Sequence, residues 1–396
     1  MDDTNSCPPI EEETAIGNAA KITALSTIVA TSFIGNILII SVTRRTRSMQ
    51  KIAYSFVVNM AIADLCTTII NMPESLTVEI RNTDEWLPGA VGVVLCKLLP
   101  ICQQVCAFCS ILSLLAIALD RFFAICLPLK RIMTLRLSKV IIVLTWLIPF
   151  ISSTPMFVAN NVVEIEGGLI LCVEQWPAPF DNDKSPTDYT IILFVLFYLL
   201  PLVIISTLYS CVIYKIWRRR APGNYSTTTN RVYSRSRRKA LKMFIAIVVC
   251  FALLWLPYHV TFFLISYNEE FYNCGLPGDV YFIASFFSHT ISAMNPCIYM
   301  IFNKDYRTGI KRLLASCCCK NSSALYPEMN SATGVNSRTE AINADQEMTT
   351  FYSRSSRFRM RGFRLRKIEP SAQDLAKHGA FLVSYNQGFL NSSSRS

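Results

Sequence analysis

The sequence predicts an all-α membrane protein, a seven-transmembrane helix bundle followed by one amphipathic surface helix. Three observations carry that prediction. The chain of 396 residues is 52% hydrophobic and only 16% charged, with a mean hydropathy of +0.36, whereas soluble domains carry roughly a quarter charged residues. Its apolar residues gather into runs of the length that crosses a bilayer, about 20 residues. Its charges lie almost wholly between those runs, acids on one set of connections and bases on the other. The same numbers exclude a disordered chain, a collagen and a low-complexity scaffold. Fifteen cysteines in so long a chain are too sparse for a disulfide miniprotein.

The first run, Ile22 to Val42, follows an acidic segment, residues 1–21, whose only base is Lys21, and precedes Arg44, Arg45, Arg47 and Lys51. Excess base marks the cytoplasmic side, so the amino terminus is expected outside. The first 20 residues lack an apolar core, so this run is expected to serve as its own insertion signal. The second run, Ala53 to Val78, holds Asp64 mid-span. The third, Val93 to Cys126, carries Asp120-Arg121 near its end, and the fourth runs from Val140 to Val158. The fifth (Tyr189 to Ile213), sixth (Met243 to Ile265) and seventh (Val280 to Phe302) contain Pro201, Pro257 and Pro296. Each proline removes a backbone hydrogen bond and permits a kink. The bundle is thus placed at 22–302. Residues 303–316 form the amphipathic helix, with Phe302, Tyr306, Ile310, Leu313 and Leu314 on its apolar side. Cys317, Cys318 and Cys319 follow beside basic residues and read as palmitoylation sites. Residues 317–396 are polar without periodicity and are expected to be a disordered cytoplasmic tail.

With seven runs, every charge has a side. The outer segments 1–21, 74–97, 160–188 and 266–280 hold 18 acids and 4 bases; the inner segments 44–51, 130–139, 215–242 and 303–396 hold 33 bases and 7 acids. The net charge of +11 is therefore a property of the inner face, suited to anionic lipid and an acidic partner. Nucleic acid is not needed to explain it. The acidic outer face would attract a cationic ligand. Only Asp64, Asp120 and Arg121 remain inside the runs, where charge is costly and functional by default. Asp64, with Asn36, Ser110, Ser292 and Asn295 on other runs, offers oxygens for a small hard cation such as sodium. A protonated or water-bridged carboxyl in a polar seam fits the same chemistry. Asp120-Arg121 reads equally as a boundary ion pair.

One motif per run completes the pattern: Gly35-Asn36, Asn59 to Asp64, Asp120-Arg121-Phe122, Trp146, Pro201 with Tyr209, Phe251-x-x-x-Trp255-Leu-Pro257, and Asn295-Pro296-Cys-Ile-Tyr299. In that order they resemble the rhodopsin-like (class A) G-protein-coupled receptors, over about residues 20 to 316. The resemblance implies a plasma-membrane receptor that activates a heterotrimeric G protein. Asp64, Ser110, Ser292 and Asn295 would form a sodium pocket. Asp120 and Arg121 would be the G-protein switch, Phe251 and Trp255 the relay beneath the ligand, and Tyr209 and Tyr299 the side chains that swing inward, with Pro296 beside them. It implies a Cys96–Cys172 disulfide, and in some peptide receptors a second bridge like Cys7–Cys274. Tail serines Ser353, Ser355, Ser356 and Ser392 to Ser394 would be targets of receptor kinases that recruit arrestin. By its own residues, bases alternating with Phe358, Met360, Phe363 and Leu365, Arg354 to Lys367 reads as a segment that hugs membrane lipids, with a solvated basic tail as the alternative. The chain departs from the pattern at Phe122 (usually Tyr), Leu254 (often Cys) and Ile291 (often Asn), the last of which weakens the sodium expectation.

Ligand class must come from the outer half. Amine receptors resemble one another in an aspartate on upper helix 3; Gln103 stands there. Opsins need a lysine in the seventh helix, and His289 stands there instead. Lipid and nucleotide receptors present bases, but the outer bases are only Lys21, Arg81, Lys97 and Lys184. Gln103, the acidic rim and Trp86-Leu-Pro-Gly89 resemble neuropeptide receptors of the neuropeptide-FF, orexin and tachykinin type. The expected ligand is a short, basic, amidated neuropeptide, with Glu74, Gln103, Gln104, Glu174, Tyr258, His259, Phe262, Tyr281 and His289 as candidate contacts. A lipid or other small molecule, or an orphan with high basal activity, is the alternative within the same fold. A transporter would favour internal repeats, and an enzyme a catalytic cluster that three histidines do not supply.

Overall fold

The computed structural model describes residues 14–318 apart from 47–48, 50, 84, 131, 166–167, 183, 219–226 and 268–277; for 227–240 and 316–318 it describes the backbone alone. Helix α1, Ala15–Arg45, starts two turns before the apolar run because Thr14 caps it, its hydroxyl accepting from the Gly17 N–H at 3.1 Å. The second run divides into α2, Ile52–Ile70, and α3, Met72–Arg81. Pro73 explains the break, since it has no N–H to continue the ladder. Asn71 at the join donates to the Leu99 carbonyl at 2.8 Å. Helix α4, Gly89–Cys126, is followed by α5, Leu135–Ser153, and the short α6, Pro155–Ala159. Helix α7, Ser185–Phe194, runs through a wide π turn, Val195–Leu199, into α8, Leu200–Arg218. The wide turn lies just before Pro201, whose ring crowds the carbonyl four residues earlier. Helices α9, Thr227–Tyr267, α10, Gly278–Phe302, and α11, Lys304–Cys318, complete the described chain.

Among the described residues, six segments are each long and apolar enough to cross a membrane: Ala15–Arg45, Ile52–Arg81, Gly89–Cys126, Leu135–Ala159, Ser185–Arg218 and Leu241–Tyr267. The seventh span is α10. At 25 residues it is about 37 Å long, and its hydropathy is lowered by Ser288, His289, Ser292 and Asn295, all of them buried. Turned into the bundle, they cost no contact with lipid. The outward faces are apolar, as on α5, where Val140, Val143, Leu147, Phe150 and Ile151 are exposed. That inversion of a soluble surface is what hydrocarbon requires.

Helix α4 is the central strut, packing on α2, α5 and α8, while α10 packs on α9 and α1. Asn59 ties three spans together: its amide donates to the Ser113 hydroxyl at 2.9 Å and the Thr145 hydroxyl at 3.0 Å, and its oxygen accepts from the Trp146 indole at 2.8 Å. Helix α11 lies against the basic end of α1. Tyr306 is fully buried there with its hydroxyl 2.8 Å from that of Thr43, and Gly309 leaves room for Val42. Ile310 and Leu313 pack on the core, whereas Leu314 stays half exposed.

The sequence reading contained no strand, yet β1, Asn160–Glu164, and β2, Ile170–Glu174, form an antiparallel hairpin with Val162 opposite Cys172. The signal was present: two β-branched runs flank Gly167-Gly168. An isolated hairpin is marginal in water, and this one is tied down. Cys172 is bonded to Cys96, the Trp86 N–H donates to the Ile170 carbonyl at 2.7 Å, and the Lys97 ammonium donates to the Phe157 and Asn160 carbonyls at 2.9 and 3.0 Å. The disulfide joins the pair that the resemblance implies. Cys7, Cys274 and Cys319 lie outside the described residues, as do the tail serines and the segment 354–367.

Gly35 marks a close approach of α1 to α10. A Cβ there would meet Pro296 Cβ at 2.6 Å and Cγ at 2.8 Å, well inside the 3.5–4.0 Å optimum for carbon pairs. Gly35→Val is therefore expected to force the helices apart at a cost of about 1–3 kcal/mol. Thermal melting of the purified protein should fall by several degrees, with Gly35→Ala intermediate; an unchanged midpoint would remove the close approach.

Candidate functional site

The buried polar side chains line up through the bundle. At mid-depth the Asn295 amide on α10 donates to the Asp64 carboxylate on α2 at 2.8 Å. Asn36 on α1 donates to the Ser292 carbonyl at 3.0 Å, and the Ser32 and Thr68 hydroxyls meet at 2.6 Å. Asp64 is 2% exposed; such a carboxyl persists only because hydroxyls and amides surround it.

A cavity of about 20 Å³ opens beside Asp64, lined by Thr67, Gln103, Cys106, Ala107, Ser110, Phe251, Trp255, Ser288, His289, Ile291 and Ser292. That is space for one water or one small ion. The lining residues of α4 fall at 103, 106, 107 and 110, the spacing of one helical face. Gln103 and His289, both expected to face a ligand, share this cavity with Asp64, Ser110 and Ser292, expected to face a cation. His289 is anchored by the Ser75 hydroxyl at 2.9 Å from its Nε2.

Toward the hairpin end, α9 presents Trp255, Tyr258 and His259 within little more than one turn. The His259 ring is packed among Phe194 (4.8 Å), Tyr198 (4.5 Å), Tyr258 (5.8 Å) and Trp255 (6.0 Å). Its Nδ1 has no hydrogen-bond partner among the described residues. Sequence reasoning missed Phe194 and Tyr198, because the π turn sets their direction and periodicity does not reveal it. Phe262 packs on Phe263 at 5.7 Å.

Glu174 at the end of β2 accepts from the Trp176 indole at 2.7 Å. Trp176 in turn packs on Tyr189 at 5.5 Å. Desolvation pushes the Glu174 carboxyl pKa up, and the Trp176 hydrogen bond opposes that rise. Gln104 is drawn toward this second cluster, accepting from the Tyr189 hydroxyl at 3.2 Å. Gln103 and Gln104 thus serve different surroundings, as adjacent residues on a helix must. Glu74 lies in the first turn of α3 and Tyr281 is half exposed on α10; neither lines the central cavity.

At the opposite, basic end, Arg121 pairs with Asp120 at 3.4 Å. Its guanidinium lies 5.7 Å from the Phe244 ring, and its Nε has no partner among the described residues. Tyr209 and Tyr299 are buried nearby in the same core, and the Tyr299 hydroxyl is also without a described partner. Phe251 and Trp255, with ring centroids 6.3 Å apart, lie between this end and the cavity. A second small cavity below, lined by Met60, Ser110, Leu114, Ile247, Cys250, Phe251, Leu254, Ile291, Met294 and Asn295, continues the loosely packed column.

Seven spans around a buried polar column, with a partly buried arginine at the basic end, make a membrane receptor architecture. The chain belongs to the rhodopsin family of seven-transmembrane receptors: residues 35–299 match the family described as 7 transmembrane receptor (rhodopsin family). Among its relatives, the substance-P receptor of Aquarana catesbeiana is 31% identical over 297 residues, covering 74% of this chain and 70% of the relative. The human substance-K receptor is 30% identical, covering 75% and 72%, and the mouse neuromedin-K receptor 32% identical, covering 74% and 63%. The protein is thus a G-protein-coupled receptor rather than an enzyme, and a multi-pass membrane protein.

Proposed function

We propose that this receptor resides in the plasma membrane with its hairpin end outside and is switched on by a short, basic, amidated neuropeptide. The observation that carries this reading is the placement of Gln103 and His289 in one cavity with Trp255, below a hairpin that bears Glu164 and Glu174. The similarity to receptors named for substance P, substance K and neuromedin K supports it. A ligand that binds the active bundle more tightly than the inactive one shifts the population toward activity. Contraction around Trp255 then loosens Arg121 from Asp120, and the basic end receives the G protein. Receptor kinases, arrestin and membrane lipids are the further partners expected at that end, with Cys317 to Cys319 as lipid anchors.

A small hard cation fits the inner cavity, since a carboxylate and two hydroxyls meet in a space of one ion. Asp64, Ser110 and Ser292 would hold sodium, with Asn295 fixing the carboxylate. When bound, the ion neutralises Asp64 and favours the bundle in which the cavity stays open.

The test is a calcium-reporter screen of cells expressing the chain with a promiscuous Gα. Substance P, substance K, neuromedin K and amidated arginine-containing peptides are applied beside amines and lysolipids. A response to a peptide is expected, weakened about tenfold or more by Gln103→Ala, the cost of one lost buried hydrogen bond. A response to lysolipid alone overturns the peptide reading. Neutralising Glu164, Glu166 and Glu174 to glutamine should slow association of a basic agonist about tenfold at low salt. The difference should shrink at physiological salt, and an effect on dissociation alone would speak against steering.

A further inference from the structure

We propose that Tyr198 is a positioning residue that latches α9 to the fifth span and so holds the unliganded receptor at rest. Its hydroxyl donates to the Ala252 carbonyl of α9 at 2.6 Å. That carbonyl lies in a stretch of backbone that already lacks a rung, because Pro257 five residues on has no N–H. The fifth span packs mainly on α4 through α8, and little on α9, so a single hydrogen bond across that seam carries much of the hold between the two.

The wide turn Val195–Leu199 makes the contact possible. Such a turn inserts one residue into a helix and redirects the side chains around it. Phe197 is buried with its ring stacked on Phe108 of α4, the centroids 4.1 Å apart. The next residue, Tyr198, turns instead to α9, its ring 6.2 Å from Phe251 and 4.5 Å from His259. Two successive rings thus commit the fifth span to different neighbours, and only the second adds a donor.

Geometry makes this bond a property of one state. At the basic end the Arg121 guanidinium lies against the Phe244 ring of α9, so that half of α9 is packed in on the bundle. Opening it for a G protein requires a hinge, and Pro257 supplies one. Ala252 sits five residues from the hinge on the basic side, about 7.5 Å along the axis. A swing of about 20° at the proline carries its carbonyl about 2–3 Å, past the ~3.0 Å reach of an O–H···O bond. No water waits in hydrocarbon to replace the lost donor. The bond is therefore made in the closed bundle and broken in the open one, and it biases the equilibrium between them. This inference rests on the receptor class and the hinge, and is independent of the peptide reading.

The test reads basal signalling through a promiscuous Gα with no ligand added, per receptor at the cell surface. Tyr198→Phe keeps the ring and removes the donor; the basal signal should rise about fivefold, the factor that the net worth of one hydrogen bond gives. Para-fluoro-phenylalanine at the same position fills the space of the hydroxyl without donating. It should act as Tyr198→Phe does, and it takes over the test if that variant fails to reach the surface. Para-amino-phenylalanine restores an N–H donor at the same reach and should return the signal to the wild-type level. Thr207→Val removes an exposed hydroxyl of α8 that donates to its own helix, at the Val203 carbonyl, 2.8 Å away, and should change nothing. A tyrosine that merely fills space predicts a lower melting temperature of the purified receptor with no rise in basal signal. That result, or a rise that the amino group does not reverse, overturns the proposal.

Discussion

Cys172→Ser is expected to abolish high-affinity agonist binding and to lower the melting temperature by several degrees. The bridge to Cys96 spans 76 residues, and for a free chain the closure of such a loop is worth about 4–5 kcal/mol. In a membrane the spans between the two cysteines are already inserted, so less of that entropy remains to be lost and the global effect is smaller. The local effect is larger. Without the bridge, the two-stranded hairpin keeps the Trp86 contact, the Lys97 ammonium and the bond from Asn160 to the Met156 carbonyl, all at β1 or at the start of β2, and a two-stranded hairpin is marginal by itself. Hydrogen exchange should show it: amides of residues 160–174 should lose protection in Cys172→Ser while those of α4 keep theirs. Lys97→Met should give a milder version of the same pattern. Retained hairpin protection in the serine variant would mean that the backbone contacts suffice.

These expectations also show what the sequence disclosed and what it withheld. Span positions follow from hydrophobic run length, which the bilayer sets directly, and every expected span is matched by a helix. The ends differ because helices continue past the hydrocarbon wherever a cap such as Thr14 satisfies the first turn. The break at Pro73 could have been read from the proline alone. The meeting of Asp64 with Asn295 was anticipated from the chemistry of an intramembrane carboxyl, which needs donors on other spans. The surroundings of His259 were not anticipated, since a π turn changes which face of a helix a residue occupies without any change in apolar periodicity. Nor does periodicity separate Gln103 from Gln104; both are polar in an apolar run, and only the arrangement of α5 and Tyr189 decides that Gln104 leaves the cavity. Nor does either span alone show that Cys66 of α2 packs in one cluster with Cys106 and Cys109 of α4.

Asp64→Asn is expected to remove the dependence of the receptor on sodium while preserving the fold. The asparagine amide keeps the shape of the carboxyl and can still meet Asn295, so the hydrogen-bonded seam through Asn36, Ser292 and Thr68 survives. What is lost is the only anionic donor among the residues lining the cavity, and hydroxyls alone bind a monovalent cation poorly. The measurement is thermal melting of purified receptor in sodium chloride against N-methylglucamine chloride at equal ionic strength. A ligand that binds only the folded state at ten times its Kd adds about 1.4 kcal/mol, a shift of a few degrees for a bundle of this size. The wild type should show it and Asp64→Asn should not. Ile291 supplies the complementary arm. It lines the cavity with a side chain that cannot coordinate, so Ile291→Asn adds an oxygen and should move the sodium response to lower concentration. Equal melting of the wild type in both salts would leave Asp64 as a hydrogen-bonded hinge between α2 and α10. A sodium response retained in Asp64→Asn would place the cation elsewhere in the protein.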